Sequence, residues 1–315
     1  MKQDVPRSNP PTLRPARLNP SPFYCPAVGR ILRRLWKLCP LLPALTLCTL
    51  PSAAQQRPLQ TEDPTILKSG RASVEFGFDF LQDARFPVSG LRGDQTGLGV
   101  MGLHISLAGV AEVQMDWTAH NLLSVTEASP APVRPHLSSG GTATSDYGDL
   151  FLSTKIRMLQ ESGPKPSLGF FTSVQVPNAS TAKGLGLNAT QYRGGILAGK
   201  HFGKLHVFGN LGLGILANPV LAGAQNDVML YGVAGIYPLT SKVNLAGEVF
   251  GHRNSRHLPP LGTESLSQFR LGLQVHAGGL RWDVAAVAGL AHHSPRSGIV
   301  FGLTKQFDSF LSPKH

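Results

Sequence analysis

The stretch RASVEFGFDFLQ (residues 71–82) sets Val74, Phe76, Phe78 and Phe80 in strict alternation with Ser73, Glu75, Gly77 and Asp79. A period of two marks a strand with one apolar and one polar face. What the polar face looks at decides the fold. In a soluble sandwich the phenylalanines enter a protein core, and Glu75 and Asp79 meet bulk water. In an outer-membrane barrel the phenylalanines meet lipid, and the two acids meet the lumen.

The pattern recurs along the chain. AEVQMDWT (111–118), DLFLSTKIRM (149–158), QFRLGLQVHA (268–277) and LRWDVAAVAGL (280–290) alternate clearly. Weaker alternation runs through 94–107, 166–176, 190–201, 204–216, 226–237, 242–252 and 298–307. With the opening strand these predict twelve strands, and beyond residue 54 no stretch shows a helical period capped at both ends. Glycines inside the segments, as in FGNLGLGIL (208–216), suit close backbone approach and curvature in a closing sheet.

The connections alternate between long (82–93, 119–145, 177–189, 217–225, 253–264) and short (near Gly109, 160–165, 202–204, 238–241, 277–279). A soluble sandwich has no reason to sort its loops by parity. A transmembrane barrel does, with long loops outside and tight turns in the periplasm. The expected fold is therefore all-β, a transmembrane antiparallel barrel of about twelve strands over 71–307. Its partners are outer-membrane lipid, a small-molecule solute in the lumen and the barrel-assembly machinery. The last strand, GIVFGLTKQF (298–307), offers that machinery Gly302 and a terminal Phe307, although Lys305 stands where an apolar residue is usual. A lysine near the periplasmic rim can snorkel to the headgroups.

The first 54 residues read as a leader. Arg30, Arg33, Arg34 and Lys37 precede an apolar run from Leu38 to Leu50, and Ser52 and Ala54 occupy the small positions before a cut ahead of Gln55. Val28 as an alternative initiator gives this signal an ordinary length. Residues 55–70 then form a loose periplasmic tail, with a partial plug as the alternative, and 308–315 extend past the last strand. The leader holds eight of the 29 Lys and Arg and one of the 18 Asp and Glu, so its removal lowers the net charge from +11 to +4. That balance gives no support to nucleic-acid binding, which needs a basic patch on a defined fold. Cys25, Cys39 and Cys48 all lie in the leader, so neither a disulfide framework nor a Cys-ligated metal is expected, and no cofactor.

From about residue 146 to 307 the order of motifs resembles the outer-membrane transporter family of the MetA pathway of phenol degradation. The likeness rests on GDLFLSTKIRMLQESGPKPSLGF, HFGKLHVFGNLGLG, NDVMLYGVAGIYPLTSKVNLAGEVFG and SPRSGIVFGLTKQF. It implies a porin-like barrel that passes small hydrophobic or aromatic compounds. Arg296 stands where the family tends to carry an acid, and Lys305 where it carries an aromatic.

With the apolar faces on lipid, the inward charged set includes Glu75, Asp79, Glu112, Asp116, Lys155, Arg157, Glu248 and Arg270, joined by His104, His206, Asn244, His276 and Asp283. Glu112 and Asp116 on the third strand face Lys155 and Arg157 on the fourth. They either brace the wall or form a constriction of opposed charges. No catalytic role is expected. The one candidate for a rim lipid esterase is His292 and Ser294 in AHHSPRSG, where a nucleophile would need a base within reach and an orienting acid. Trp117, Trp282, Tyr192, Tyr231 and Tyr237 are expected at the two interfacial girdles.

Overall fold

A computed structural model describes residues 57–221 and 223–309. The leader read at 1–54, with its signal, cysteines and cleavage point, and residues 310–315 lie outside the described residues. The first hairpin pairs β1 (Arg71–Phe86) with β2 (Leu91–Leu107), followed by β3 (Ala111–Ala128). A short β4 (Ala143–Asp146) precedes β5 (Leu150–Leu159) and β6 (Ser167–Val176). The wall continues through β7 (Gln191–Phe202), β8 (Leu205–Ala217), β9 (Gln225–Pro238) and β10 (Val243–Asn254). It ends with β11 (Leu266–Ala277), β12 (Leu280–Gly289) and β13 (Ser297–Asp308).

Each wall strand pairs antiparallel with the next, β3 reaching directly to β5. β13 returns to β1 in an unbroken register from Arg71↔Asp308 to Gln82↔Ser297, so the sheet closes and leaves no edge. β4 pairs only with the far end of β3, from Asn121↔Asp146 to Ser124↔Ala143, and stands outside the wall. The result is the expected closed barrel of twelve strands. Among the described residues the helical pieces are two single 3₁₀ turns, Ser139–Gly141 and Thr181–Lys183.

Burial answers the question posed by residues 71–82. Val74, Phe76, Phe78 and Phe80 are 41–43 % exposed on the outer face, while Ser73 and Glu75 on the inner face are at 0 and 3 %. The outward set goes on round the barrel through Val113, Met115, Leu152, Ile196, Leu213, Val233, Leu271 and Phe301, an apolar belt suited to lipid. Trp282, Tyr192 and Tyr237 share this exposed face; Tyr231 is half-buried, and Trp117 donates its indole N–H to the Gly148 carbonyl at 3.1 Å.

The strands are longer at one end than the alternation implied. β1, β2 and β3 have 16, 17 and 18 residues, where about 9–11 cross a bilayer. The connection expected at 82–93 shrinks to 87–90, and the one expected at 119–145 contains the rest of β3 and β4. A register shift between Leu81 and Ala84, with Asp83 at φ 60°, breaks the period there and hides the strand's continuation. Tight turns at 108–110, 203–204 and 278–279 mark the opposite end, where β1 begins and β13 ends.

Candidate functional site

Inside the wall, residues 57–70 run round the lumen as a collar. Starting from β1, the Leu67 N–H donates to Glu112 Oε2 on β3 at 2.9 Å, and Ser106 Oγ on β2 donates to the Leu67 carbonyl at 2.9 Å. Asp63 lies 3.5 Å from His206 Nδ1 on β8. The Gln60 N–H reaches both oxygens of Glu248 on β10 at 2.8 and 2.9 Å, and the Thr61 N–H reaches Oε2 at 2.8 Å. On β11, Arg270 Nη1 donates to the Pro58 carbonyl at 3.0 Å and Gln274 Nε2 to the Arg57 carbonyl at 2.9 Å. The Arg57 guanidinium then stands 3.7 Å from both Glu75 and Asp79 on β1, bringing the segment back to where it started.

The wall is shaped for this segment. A Cβ at Gly77 would lie 2.5 Å from Arg57 Nη1, one at Gly199 would lie 2.9 Å from Pro64 Cγ, and one at Gly232 would lie 2.7 Å from Thr61 Oγ1. Inward glycines on three strands thus leave the width that the collar occupies. For residues 55–70 the sequence favoured a loose tail. Residues 57–70 instead contact the inner wall, because the segment's bare backbone N–H and C=O groups find charged and amide partners there. Unpaired, such groups cannot be buried without loss.

The inward charged set divides accordingly. Glu112 and Lys155 are register partners, with Nζ 3.4 Å from Oε1, and Lys155 also lies 3.5 Å from Glu62 of the collar. Glu248 and Arg270 are likewise cross-strand partners, 3.9 Å apart, and Arg270 lies over the Phe250 ring. Asp116 does not meet Arg157. It sits opposite Phe151 and contacts His104 Nε2 at 3.2 Å. Arg157 lies at the short-turn rim and donates to the Gly109 carbonyl at 2.8 Å. On β5 Arg157 stands six residues from Phe151, the partner of Asp116, about 20 Å of rise, so the two charges lie at different heights of the wall.

Sequence reasoning left Arg57 and Glu62 out of the inward set, since 57–70 has no period to orient it. It also left out Arg281. This residue stands 2.9 Å from Asp283 and 3.7 Å from Glu75, and it donates to Thr304 Oγ1 at 2.9 Å. Its alternation with Trp282 was a usable signal. Asn244 pairs with Gln274 at 3.3 Å, and His276 is half-buried near the β11–β12 turn.

Beyond the collar lies a chamber of about 450 Å³, walled by Phe151, Phe171 and Phe250 together with Asp116, Asp149 and Arg193, with Leu266 also on its lining. The Arg193 guanidinium covers the Phe151 ring at 4.9 Å. Ser294 and His292 do not form a nucleophile–base pair. Ser294 Oγ donates to the Ser267 carbonyl at 2.7 Å and accepts the Ser267 N–H at 2.9 Å, while His292 Nε2 meets Arg85. The serine ties a loop to β11.

No family model matches the chain, and no curated protein does. Solved structures do. An outer membrane channel from Pseudomonas putida F1 is similar at 14% identity and a TM-score of 0.54, covering 78% of this chain and 98% of that one. The NanC porin aligns at 8% identity and a TM-score of 0.45, covering 76% of this chain and 100% of its own. A TodX monoaromatic hydrocarbon channel variant aligns at 8% and 0.39, covering 78% and 93%. The first of these likenesses establishes the shared architecture: the chain has the fold of an outer-membrane β-barrel.

Proposed function

We propose that this chain is an outer-membrane channel for the passive uptake of small, apolar or aromatic molecules, narrowed by the collar at 57–70. One observation carries the reading. The collar touches the inner wall strand after strand, from β3 through β8, β10 and β11 to β1, and it bounds a chamber of about 450 Å³. Twelve strands lie between the eight whose interior is filled by side chains and the 16–18 that leave an aqueous channel. A fitted segment is what brings such a width down to the size of a small solute. The rings of Phe151, Phe171 and Phe250 among the chamber's otherwise polar walls, the resemblance to the phenol-degradation transporters and the channel fold of the P. putida protein support the same direction.

The charges then have a defined part. Glu112, Lys155, Glu248 and Arg270 anchor the collar, and Glu75 and Asp79 hold its Arg57 end. Reconstitution of the purified protein in a planar bilayer tests the reading. Discrete, reproducible current steps of small amplitude are expected. Silence from protein that migrates as a folded barrel would leave a non-conducting structural barrel in its place.

A further inference from the structure

The six connections at the end away from the collar line one further, partly open cavity of about 170 Å³. Each hairpin at that end contributes: Val88 between β1 and β2, Val133 between β3 and β4, Leu187 between β6 and β7. Pro219 comes from the β8–β9 loop, Gly262 from β10–β11 and His293 from β12–β13. The loops are knitted to one another. The Val133 N–H donates to the Val88 carbonyl at 3.1 Å, and Ser89 Oγ to the Gly184 carbonyl at 2.7 Å. Gly262 has a φ of +84°, and a Cβ there would lie 2.9 Å from Val88, 3.3 Å from Leu187 and 3.4 Å from Pro219. Only glycine lets these three loops converge on one point.

The lining also carries polar groups, Arg85, Glu264, His293 and Thr181, some of them engaged. Glu264 Oε2 accepts the Gly262 N–H at 2.8 Å, and Arg85 lies between Asp83 and His292. Most of the lining is apolar, with Phe86, Val88, Val133, Leu187, Pro219 and Leu266 among it. Leu266 also lines the chamber above the collar, so the two cavities share a wall at that side chain.

We propose that the loop-lined cavity is a binding subsite for a neutral, single-ring hydrophobic molecule, placed ahead of the chamber. Its size sets the class: an apolar cavity of roughly 150 Å³ stays dry and takes up benzene. Its lining favours a neutral molecule, because it is mostly apolar and an ion would give up its water for few partners. The subsite's place on a path rests on the channel reading; its existence does not.

Fluorine NMR of fluorobenzene, titrated with the purified protein in detergent micelles, tests this. The wild type is expected to bind saturably, above linear partition into micelles. Val88→Trp and Leu187→Trp fill the cavity from two different loops, and each is expected to weaken binding at least tenfold. 4-Fluorobenzoate, which carries a charge, is expected to bind at least tenfold more weakly than fluorobenzene. Linear partition alone in the wild type overturns the proposal. So does undiminished binding in either tryptophan variant that still migrates as a folded barrel. Saturable binding by protein that passes no current supports the subsite and removes the channel. Current without saturable binding does the reverse.

Discussion

The collar and the loop-lined mouth narrow the same lumen by different physics. At the collar, buried carboxylates and a guanidinium meet named backbone atoms: Glu248 takes two N–H groups at 2.8–2.9 Å, and Arg270 takes the Pro58 carbonyl. At the mouth, Val88, Leu187 and Pro219 gather round a glycine with nothing directed between their side chains. Directed bonds between desolvated groups fix one arrangement, since a partner lost leaves the other group unsatisfied. Apolar contact excludes water but accepts any occupant of the right size. The collar is therefore the fixed element and the mouth the exchangeable one.

Deleting residues 57–69 breaks this comparison most severely. It removes the fixed element while the twelve strands keep their pairing. Single-channel conductance in planar bilayers is expected to rise several-fold, with folding checked by heat-modifiable migration. Unchanged conductance would mean that the mouth sets the flow and the collar does not.

Glu248→Gln is the next largest. It leaves Arg270 buried beside a neutral amide and cuts back the carboxylate that holds Gln60 and Thr61. Removing one partner of a buried ion pair costs about 3–5 kcal/mol, whereas replacing both by apolar groups of similar volume is often neutral. The single substitution should lower the denaturation midpoint in detergent and make the current flicker. Glu248→Gln combined with Arg270→Met should regain most of the stability while the collar stays loose. Equal losses in the single and double variants would show that the pair braces the wall without acting on the collar.

Much of the barrel could be read before any coordinates, and the reason is physical. Strands facing lipid on one side and a polar lumen on the other must alternate, so Val74–Phe80 and Val113–Trp117 declared both their state and their orientation. Cross-strand partners followed from parity, as Glu112 opposite Lys155 shows. The upper ends of β1 and β3 were missed because beyond the lipid neither face is obliged to be apolar, and a bulge at Leu81–Ala84 reset the period. The collar was missed for a different cause. RPLQTEDPTILKSG has no repeat, its two prolines exclude regular pairing, and its contacts depend on where twelve other segments have already placed their side chains. Asp116 was paired with Arg157 on type and strand order alone. Height along the barrel separates them, and a charge list does not carry height.

A finer cut compares Gly232 on the inner face of β9 with Gly235 on its outer face. Gly232→Ala places a methyl 2.7 Å from Thr61 Oγ1 and 2.5 Å from Asn210 Oδ1, whereas at Gly235 the nearest atom is Leu205 Cδ1 at 3.7 Å. Overpacking of this kind costs typically 1–3 kcal/mol. Gly232→Ala is expected to lower stability within that range and to raise conductance modestly by displacing the collar, with Gly235→Ala close to wild type in both. Identical behaviour of the two variants would mean that the collar yields without resistance.

The smallest effect belongs to the exposed ionic cluster on the short-turn rim. Glu161 accepts from Lys200 Nζ at 2.8 Å, from the His201 N–H at 3.0 Å and pairs with His201 Nδ1 at 2.7 Å. The hydrogen bond from the His201 ring, then that from Lys200, hold its carboxyl down at about 2, from an ordinary 4.5. A depressed carboxylate stabilises the fold fully above its unfolded value, so this contribution is complete above 4.5 and is lost as the pH falls through about 2. Because solvent screens the cluster, Glu161→Gln should cost no more than about 1 kcal/mol at neutral pH. The carboxyl carbon shift of Glu161, followed by NMR, should show its midpoint near the lower value. The same acid-to-amide change is thus made at two depths of one barrel. If Glu161→Gln cost as much as Glu248→Gln, burial would not be what gives the collar its hold.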